Sequence, residues 1–274
     1  MPRFTNLFSI FVWKTQPFMT ANRELIRQLQ EELLPLQGFR PPTAGARVDM
    51  GLGPVAAAFP RGEFPTGAVH ELLSASPEDG AATGGFVAAL LAPLMRDGGI
   101  CLWIGTRRTV FPPALKRFGI EPHKLVFVDL AREKDAIWAM EEALKCEGLA
   151  AVVGEIRDLD FTASRKLQLA VEKSRVTGFL VRHQPRSLGT VAAVARWRIS
   201  GLAREPEGEL PGVGFPRWKV ELLRVRNGRP GEWIAEWNNE MGFKTIDHEQ
   251  TICIPLFPAS QNRLVGHPQT GAAG

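Results

Sequence analysis

Residues 62–86 read Gly62-Glu-Phe-Pro-Thr-Gly-Ala-Val-His-Glu71, then Leu72-Leu73, then Ser74-Ala-Ser-Pro-Glu-Asp-Gly-Ala-Ala-Thr-Gly-Gly85-Phe86. The apolar run at 68–73 predicts a short strand. The small and acidic residues at 74–85 predict a loop, and the apolar stretch at 86–95 predicts a helix. A strand that feeds a glycine-rich loop and then a helix is the opening unit of an α/β sheet, and such a loop is where that architecture can hold a phosphate.

Working outward, the unit repeats. Strands are expected at 100–104, 125–129, 150–156 and 178–182, with a short helix at 113–118 and longer helices at 135–146 and 162–174. Strands and helices alternating over short connections argue for a mostly parallel sheet flanked by helices. After Pro185 the rhythm changes. Strands at 191–199 and 218–226, an Asn227-Gly228 turn and a strand at 233–237 predict antiparallel hairpins. Upstream, Leu25, Ile26, Leu29 and Leu33 recur at helical spacing behind Asn22 as a cap, and a Pro/Gly-rich linker fills 35–54. Met19 offers an alternative start, which would leave 1–18 upstream of it. The fold class is therefore α/β, divided into an N-terminal helix and linker at 1–54, a core at 55–200, a C-terminal β extension at 201–257, and a tail at 258–274 with a disordered composition.

A chain of 274 residues, 45% hydrophobic, can fill the core of one large domain. Its three cysteines, Cys101, Cys146 and Cys253, lie far apart without a CxxC pair. That spacing predicts neither a zinc site nor a disulfide framework, and it fits a reducing, cytoplasmic compartment. The apolar opening at 7–13 is short and lacks a cleavage signature, and no apolar run is long enough to span a membrane. Net charge is +4, but residues 157–229 alone carry a surplus of +8. Charge concentrated in this way points to an anionic partner, nucleic acid first.

The stretch 62–71 resembles the lead-in to the phosphate loop of the RecA family. Residues 101–126 are similar to that family's next strand, helix and strand, including Pro112, Lys116, Arg117 and Gly119-Ile120. Residues 150–155 fall where RecA has the strand that ends in its magnesium-binding acid. The resemblance covers about 60–185 and implies a RecA-like core. A working phosphate loop reads GxxxxGK[ST], because backbone N–H groups wrap the phosphates, Lys neutralises them and the hydroxyl holds magnesium. Here the stretch is longer, holds Glu78 and Asp79, and has Gly85 and Phe86 where Lys and Thr would stand. Thr83, Gly84, Gly85 and Glu155 are the expected remnants of the nucleotide site, with Gly154 or Glu155 at the acid position and Arg107 in place of the water-activating Glu. These departures imply a fold with no catalytic residues, no cofactor and no metal.

The same departures resemble the ImuA family, as do the Asp135-Ala-Ile-Trp-Ala-Met-Glu-Glu142 helix, the Ala195-Arg-Trp-Arg198 segment and the basic stretch from Arg217-Trp-Lys through Arg224-Val-Arg-Asn-Gly-Arg-Pro-Gly-Glu-Trp. The resemblance implies an SOS-inducible accessory role in error-prone translesion synthesis, beside an ImuB-like polymerase adaptor and an error-prone replicative-type polymerase. RecA and single-stranded DNA stand as further partners. Two alternatives remain open: a divergent DNA-dependent ATPase using Thr83, Gly84 and Gly85 with Arg107 or Arg108 as substitute charges, and a cell-division inhibitor of the SulA type.

Candidate anion contacts follow from position. Arg107 and Arg108 close a parallel strand at the edge where α/β sheets bind ligands. Arg182, His183 and Arg186 follow a strand where RecA places a DNA-binding loop, and His183 alone is no sign of catalysis. Alternation along 217–226 puts Trp218, Val220, Leu222, Arg224 and Arg226 on one side, and Arg217, Lys219, Glu221, Leu223 and Val225 on the other. Basic residues around an aromatic can grip phosphates and stack bases. The competing readings are a solvated loop pair, a basic surface turn and core tryptophans with a basic rim. No Ser/His/Asp arrangement, HExxH or paired-carboxylate pattern stands out in the sequence.

Overall fold

The computed structural model describes residues 48–203, 215–238 and 242–246. Nine strands form one sheet: β1 (Val69–Ser74), β2 (Ile100–Gly105), β3 (Leu125–Asp129), β4 (Leu149–Glu155), β5 (Thr177–His183), β6 (Ala195–Gly201), β7 (Arg217–Val225), β8 (Gly231–Asn238) and β9 (Gly242–Ile246). Their order is β3-β2-β4-β5-β1-β6-β7-β8-β9. Strands β1 to β6 are parallel to their neighbours within that group, and β6 to β9 pair antiparallel in succession. This is the expected α/β core with a mostly parallel sheet flanked by helices. The hairpins continue its sheet without a break, because β6 pairs with β1 on one side and β7 on the other.

Among the described residues three α-helices cover the sheet: α1 (Pro77–Leu94), α2 (Glu133–Leu144) and α3 (Phe161–Ser174). Helix α1 packs on one face, where Phe86, Leu90, Trp103, Phe179, Trp197 and Trp218 build the larger core. Helices α2 and α3 pack on the other, where Met140, Leu144 and Leu167 meet Ile104, Val152 and Leu180. Helices joining parallel strands return across one face or the other, and the chain moves across the sheet one way after β1 and the other way after β3 and β4, which divides the helices between the faces.

The structure corrects the expected loop at 74–85: α1 begins at Pro77, nine residues before its predicted start. Ser76 caps it by accepting a hydrogen bond from the Asp79 N–H, Pro77 occupies the first turn, and Glu78 and Asp79 favour the positive helix end. The glycines that suggested a loop are contact points. A Cβ on Gly85 would stand 3.3 Å from the Trp218 ring, and one on Gly84 would stand 3.2 Å from Val110. Small residues let the helix lie close to the sheet.

Alternation along β7 also breaks. Trp218, Val220 and Leu222 are buried, but so is Val225, because a bulge opposite Arg196 and Trp197 moves the register by one residue. Arg224 therefore shares a face with Arg217, Lys219 and Glu221 rather than with Trp218. The end of the expected linker belongs to the core as well, since Met50 and Leu52 are buried there and a 3-10 turn at Gly53–Ala58 follows. That turn is clamped by the second hairpin, where Arg229 N–H donates to Ala58 O at 2.8 Å and a Cβ on Gly228 would overlap the same oxygen. The helix expected at 22–34 and the tail from 258 lie outside the described residues.

Candidate functional site at the carboxyl ends of the strands

The helix after β1 returns on the face opposite those after β3 and β4, so the carboxyl ends of β1, β5 and β4 frame the crevice where open α/β sheets take ligands. Four strands end there on chemically useful residues: Ser74 on β1, Gly105 on β2, Glu155 on β4 and His183 on β5. The Ser74 hydroxyl lies 2.8 Å from His183 Nδ1, and His183 Nε2 lies 3.8 Å from Glu155 Oε2. A carboxylate facing Nε2 favours the tautomer protonated there, with Ser74 donating to Nδ1. Burial holds the imidazole below its usual pKa range; Glu155 pulls it upward and nearby Arg107 pushes it down again.

Glu155 is buried and already engaged. Its Oε1 accepts from Trp103 Nε1 at 2.7 Å and from the Thr109 hydroxyl at 2.5 Å. Gly154 is excluded from the acid position by packing: a Cβ there would overlap Met140 Sδ on the opposite face of the sheet. Gly154→Ala should therefore lower stability by about 1–3 kcal/mol, as overpacking in a filled core does. Thermal unfolding checks this, and a midpoint within about 1 °C of the parent would mean that α2 yields freely.

The expected nucleotide-loop remnants are not at this edge as a loop. Thr83, Gly84 and Gly85 lie inside α1, two turns from its start, and the buried Thr83 hydroxyl donates to Asp79 O at 2.7 Å. Only Ala75 and Ser76 separate β1 from α1.

The expected basic contacts are not gathered in one place. Arg107 is exposed at the carboxyl edge, and Arg108 pairs with Asp129 at 2.5 Å and lies 4.7 Å over the Phe127 ring. Arg186 is 77% exposed beside Asp158. Arg182 is a correction: it is 1% exposed, paired with Glu71 at 2.8 Å, and its guanidinium also donates to Arg157 O and Ser187 O. A guanidinium enclosed in this way cannot reach a nucleic-acid backbone.

On the antiparallel half, Trp218, Trp233 and Trp237 pack in or against the larger core instead of presenting rings to stack bases. Lys219 pairs with Glu232 at 3.0 Å, and Arg224 donates to Val191 O at 2.7 Å and Ala193 O at 3.2 Å. Because β7 runs against β6, half-buried Arg217 lies toward the carboxyl edge, while Arg224 and half-buried Arg226 lie toward the other end. Sequence reasoning missed Ser74, Trp103 and Thr109 and set His183 aside. The usable signal was position, since Ser74, Glu155 and His183 each end a parallel strand.

Among the described residues no cluster of His, Cys, Asp or Glu is suited to a metal ion, and no helix is long and apolar enough to cross a membrane. No family model matches the chain. It is 38% identical over 190 residues to Protein ImuA from two strains of Caulobacter vibrioides, across 65% of this chain and 78% of each relative. A 110-residue segment is 29% identical to the cell division inhibitor SulA of Edwardsiella piscicida, spanning 39% of this chain and 66% of that protein. A KaiC-like protein from Pyrococcus horikoshii OT3 is similar in structure with a TM-score of 0.49 and 16% identity, over 74% of this chain and 99% of that one. The extent and identity of the first match establish that this protein belongs to the ImuA family.

Proposed function

We propose that this chain is a non-catalytic RecA-like accessory factor in SOS-induced, error-prone translesion synthesis. The observation that carries the reading is the two-residue link between β1 and α1. A phosphate loop needs several consecutive backbone N–H groups turned inward around the phosphates. Ala75 and Ser76 offer too few, Pro77 offers none, and the Ser76 oxygens are taken by Asp79 and Gly80 of the first turn. No lysine follows, and Glu78 and Asp79 put negative charge where the phosphates would sit. The engagement of Glu155 Oε1 by both Trp103 and Thr109 supports the same reading, because an oxygen that already accepts two hydrogen bonds is a poor ligand for magnesium.

In this reading the fold serves as a binding platform between an ImuB-like polymerase adaptor, the error-prone polymerase and RecA, with single-stranded DNA as a further partner. Among the expected contacts, exposed Arg107 and Arg186, with partly exposed Arg108 and half-buried Arg217, stand toward the carboxyl edge for a phosphate backbone. Calorimetric titration of ATP and magnesium into the full chain, with and without single-stranded DNA, is expected to give no binding heat. A phosphate-release assay on the same sample is expected to give no product. Saturable binding with DNA-stimulated hydrolysis would overturn the reading in favour of a divergent ATPase.

A further inference from the structure

Residues 106–111 cross the carboxyl edge of the sheet between β2 and the 3-10 helix at Pro112–Phe118. Both ends of this segment are fixed. At one end Gly105 closes β2 and its carbonyl accepts from Leu130 N–H at 2.9 Å, and at the other Pro112 and Pro113 begin the 3-10 helix. Between these ends Thr109 donates to Glu155, Arg108 pairs with Asp129, and Val110 rests on the α1 backbone at Gly84. Arg107 lies close enough to His183 for its charge to act on the imidazole. The outer side of the segment faces solvent, since residues 106–109 and Phe111 are exposed. The segment meets the row at Glu155, which is 8% exposed, and the next member, His183, has its Nε2 on the Glu155 side shielded from solvent with no hydrogen-bond partner, while Gly80 of α1 covers its Nδ1 side and Ser74.

We propose that residues 106–111 form a strap that closes the carboxyl-end crevice over Glu155 and His183, held shut by the Thr109 hydroxyl. Opening sacrifices the bond to Glu155, the exposed Arg108–Asp129 pair, the Arg108 guanidinium over the Phe127 ring and the Val110 contact, none of them part of the sheet ladder, so the strap can swing while the sheet and its helices stay folded. The Ser74–His183–Glu155 row then becomes accessible at the edge where the fold takes its ligands. The strap is a built-in block, and a ligand or partner engaging this edge must displace it. The inference does not depend on which partner that is.

Limited trypsin digestion of the full chain reads the strap directly, because cleavage after Arg107 or Arg108 requires it to leave the surface. Acylation of His183 by diethyl pyrocarbonate, located by peptide mass, reads the crevice beneath. A lost hydrogen bond to a charged group is expected to raise both rates about tenfold in Thr109→Val, while Thr109→Ser, which keeps the hydroxyl, stays within about twofold of the parent. Thr109 is exposed, so neither change touches the core. Asp129→Ala, which frees Arg108, should raise the same two rates by a smaller factor. Unchanged cleavage in Thr109→Val would show that the hydroxyl is no latch. Faster cleavage with unchanged His183 acylation would show that the strap covers nothing. Either result overturns the proposal.

Discussion

Arg182→Ala is expected to destabilise the whole fold by about 3–5 kcal/mol, a large fraction of the stability of an ordinary domain. Glu71 is 0% exposed, and its two oxygens are divided between Arg182 at 2.8 Å and Arg196 at 2.5 Å. Arg182 also ties β5 to the loops beyond it through Arg157 O and Ser187 O, and Arg196 reaches Gly189 O. Deleting one guanidinium leaves a carboxylate and two carbonyls in an interior where water cannot replace the lost partner. Glu71→Ala should fail in the same way from the other side, since it leaves two cations facing each other. Urea unfolding of both variants at neutral pH provides the measurement. A loss below about 1 kcal/mol in either would mean that water enters the site and that the network contributes little. The consequence for function is direct: reduced DNA affinity in an Arg182 variant would report unfolding rather than a broken contact.

Acidification should remove about 3 kcal/mol of stability through His70 alone, between about pH 6.5 and pH 4. The ring is 0% exposed, donates from Nε2 to Pro65 O at 2.7 Å, and lies with its centroid 4.3 Å from that of Phe64. Trp197 Nε1 approaches Nδ1 at 3.4 Å, which fixes that nitrogen as the acceptor and the imidazole as neutral. Burial lowers its pKa to about 4, and the bond to Pro65 offsets only part of that shift. The unfolded chain takes up a proton near pH 6.5, while the folded chain resists until about pH 4. Stability is therefore full above pH 6.5 and is progressively lost as pH falls through that window. His70→Gln keeps a donor for Pro65 O and does not titrate. The gap between parent and variant, followed by denaturant midpoint across the window, should close as pH falls and reverse at its lower end. Parallel curves would show that His70 does not carry the effect.

The alternation of strands and helices was readable because each core strand is a compact apolar run between turn signals. β3, for example, spans the predicted residues without adjustment. Composition misled at 74–85. Glycine, alanine and threonine look like a loop in one dimension, and only the packing of Gly84 and Gly85 against Val110 and Trp218 explains why a helix uses them. The bulge in β7 was equally invisible, because it depends on pairing with a strand some twenty residues upstream and not on local pattern. Basic side chains were counted correctly, but their availability was not legible. Arg182, Lys219 and Arg224 are engaged by a carboxylate or by carbonyls that the sequence places elsewhere. Ser74, Glu155 and His183 lie 81 and 28 residues apart, and only the strand order brings them into one row.

The position of β1 within the sheet has a further consequence, for the order of events on the ribosome. β1 emerges early in synthesis, yet its two neighbours are β5 and β6, with His70 pairing with Phe179 on one side and Ala195 on the other. More than a hundred residues must be made before either edge of that buried strand can be satisfied. Local pieces such as β2, β3 and α2 can collapse sooner, but the central ladder must wait for the second half of the chain, and pairings of such long sequence separation close slowly. Until then, two unpaired edges of Val69–Ser74 remain open to wrong partners. Nascent chains stalled before about residue 200 are thus expected to be the species that aggregates, and the completed protein the one that does not.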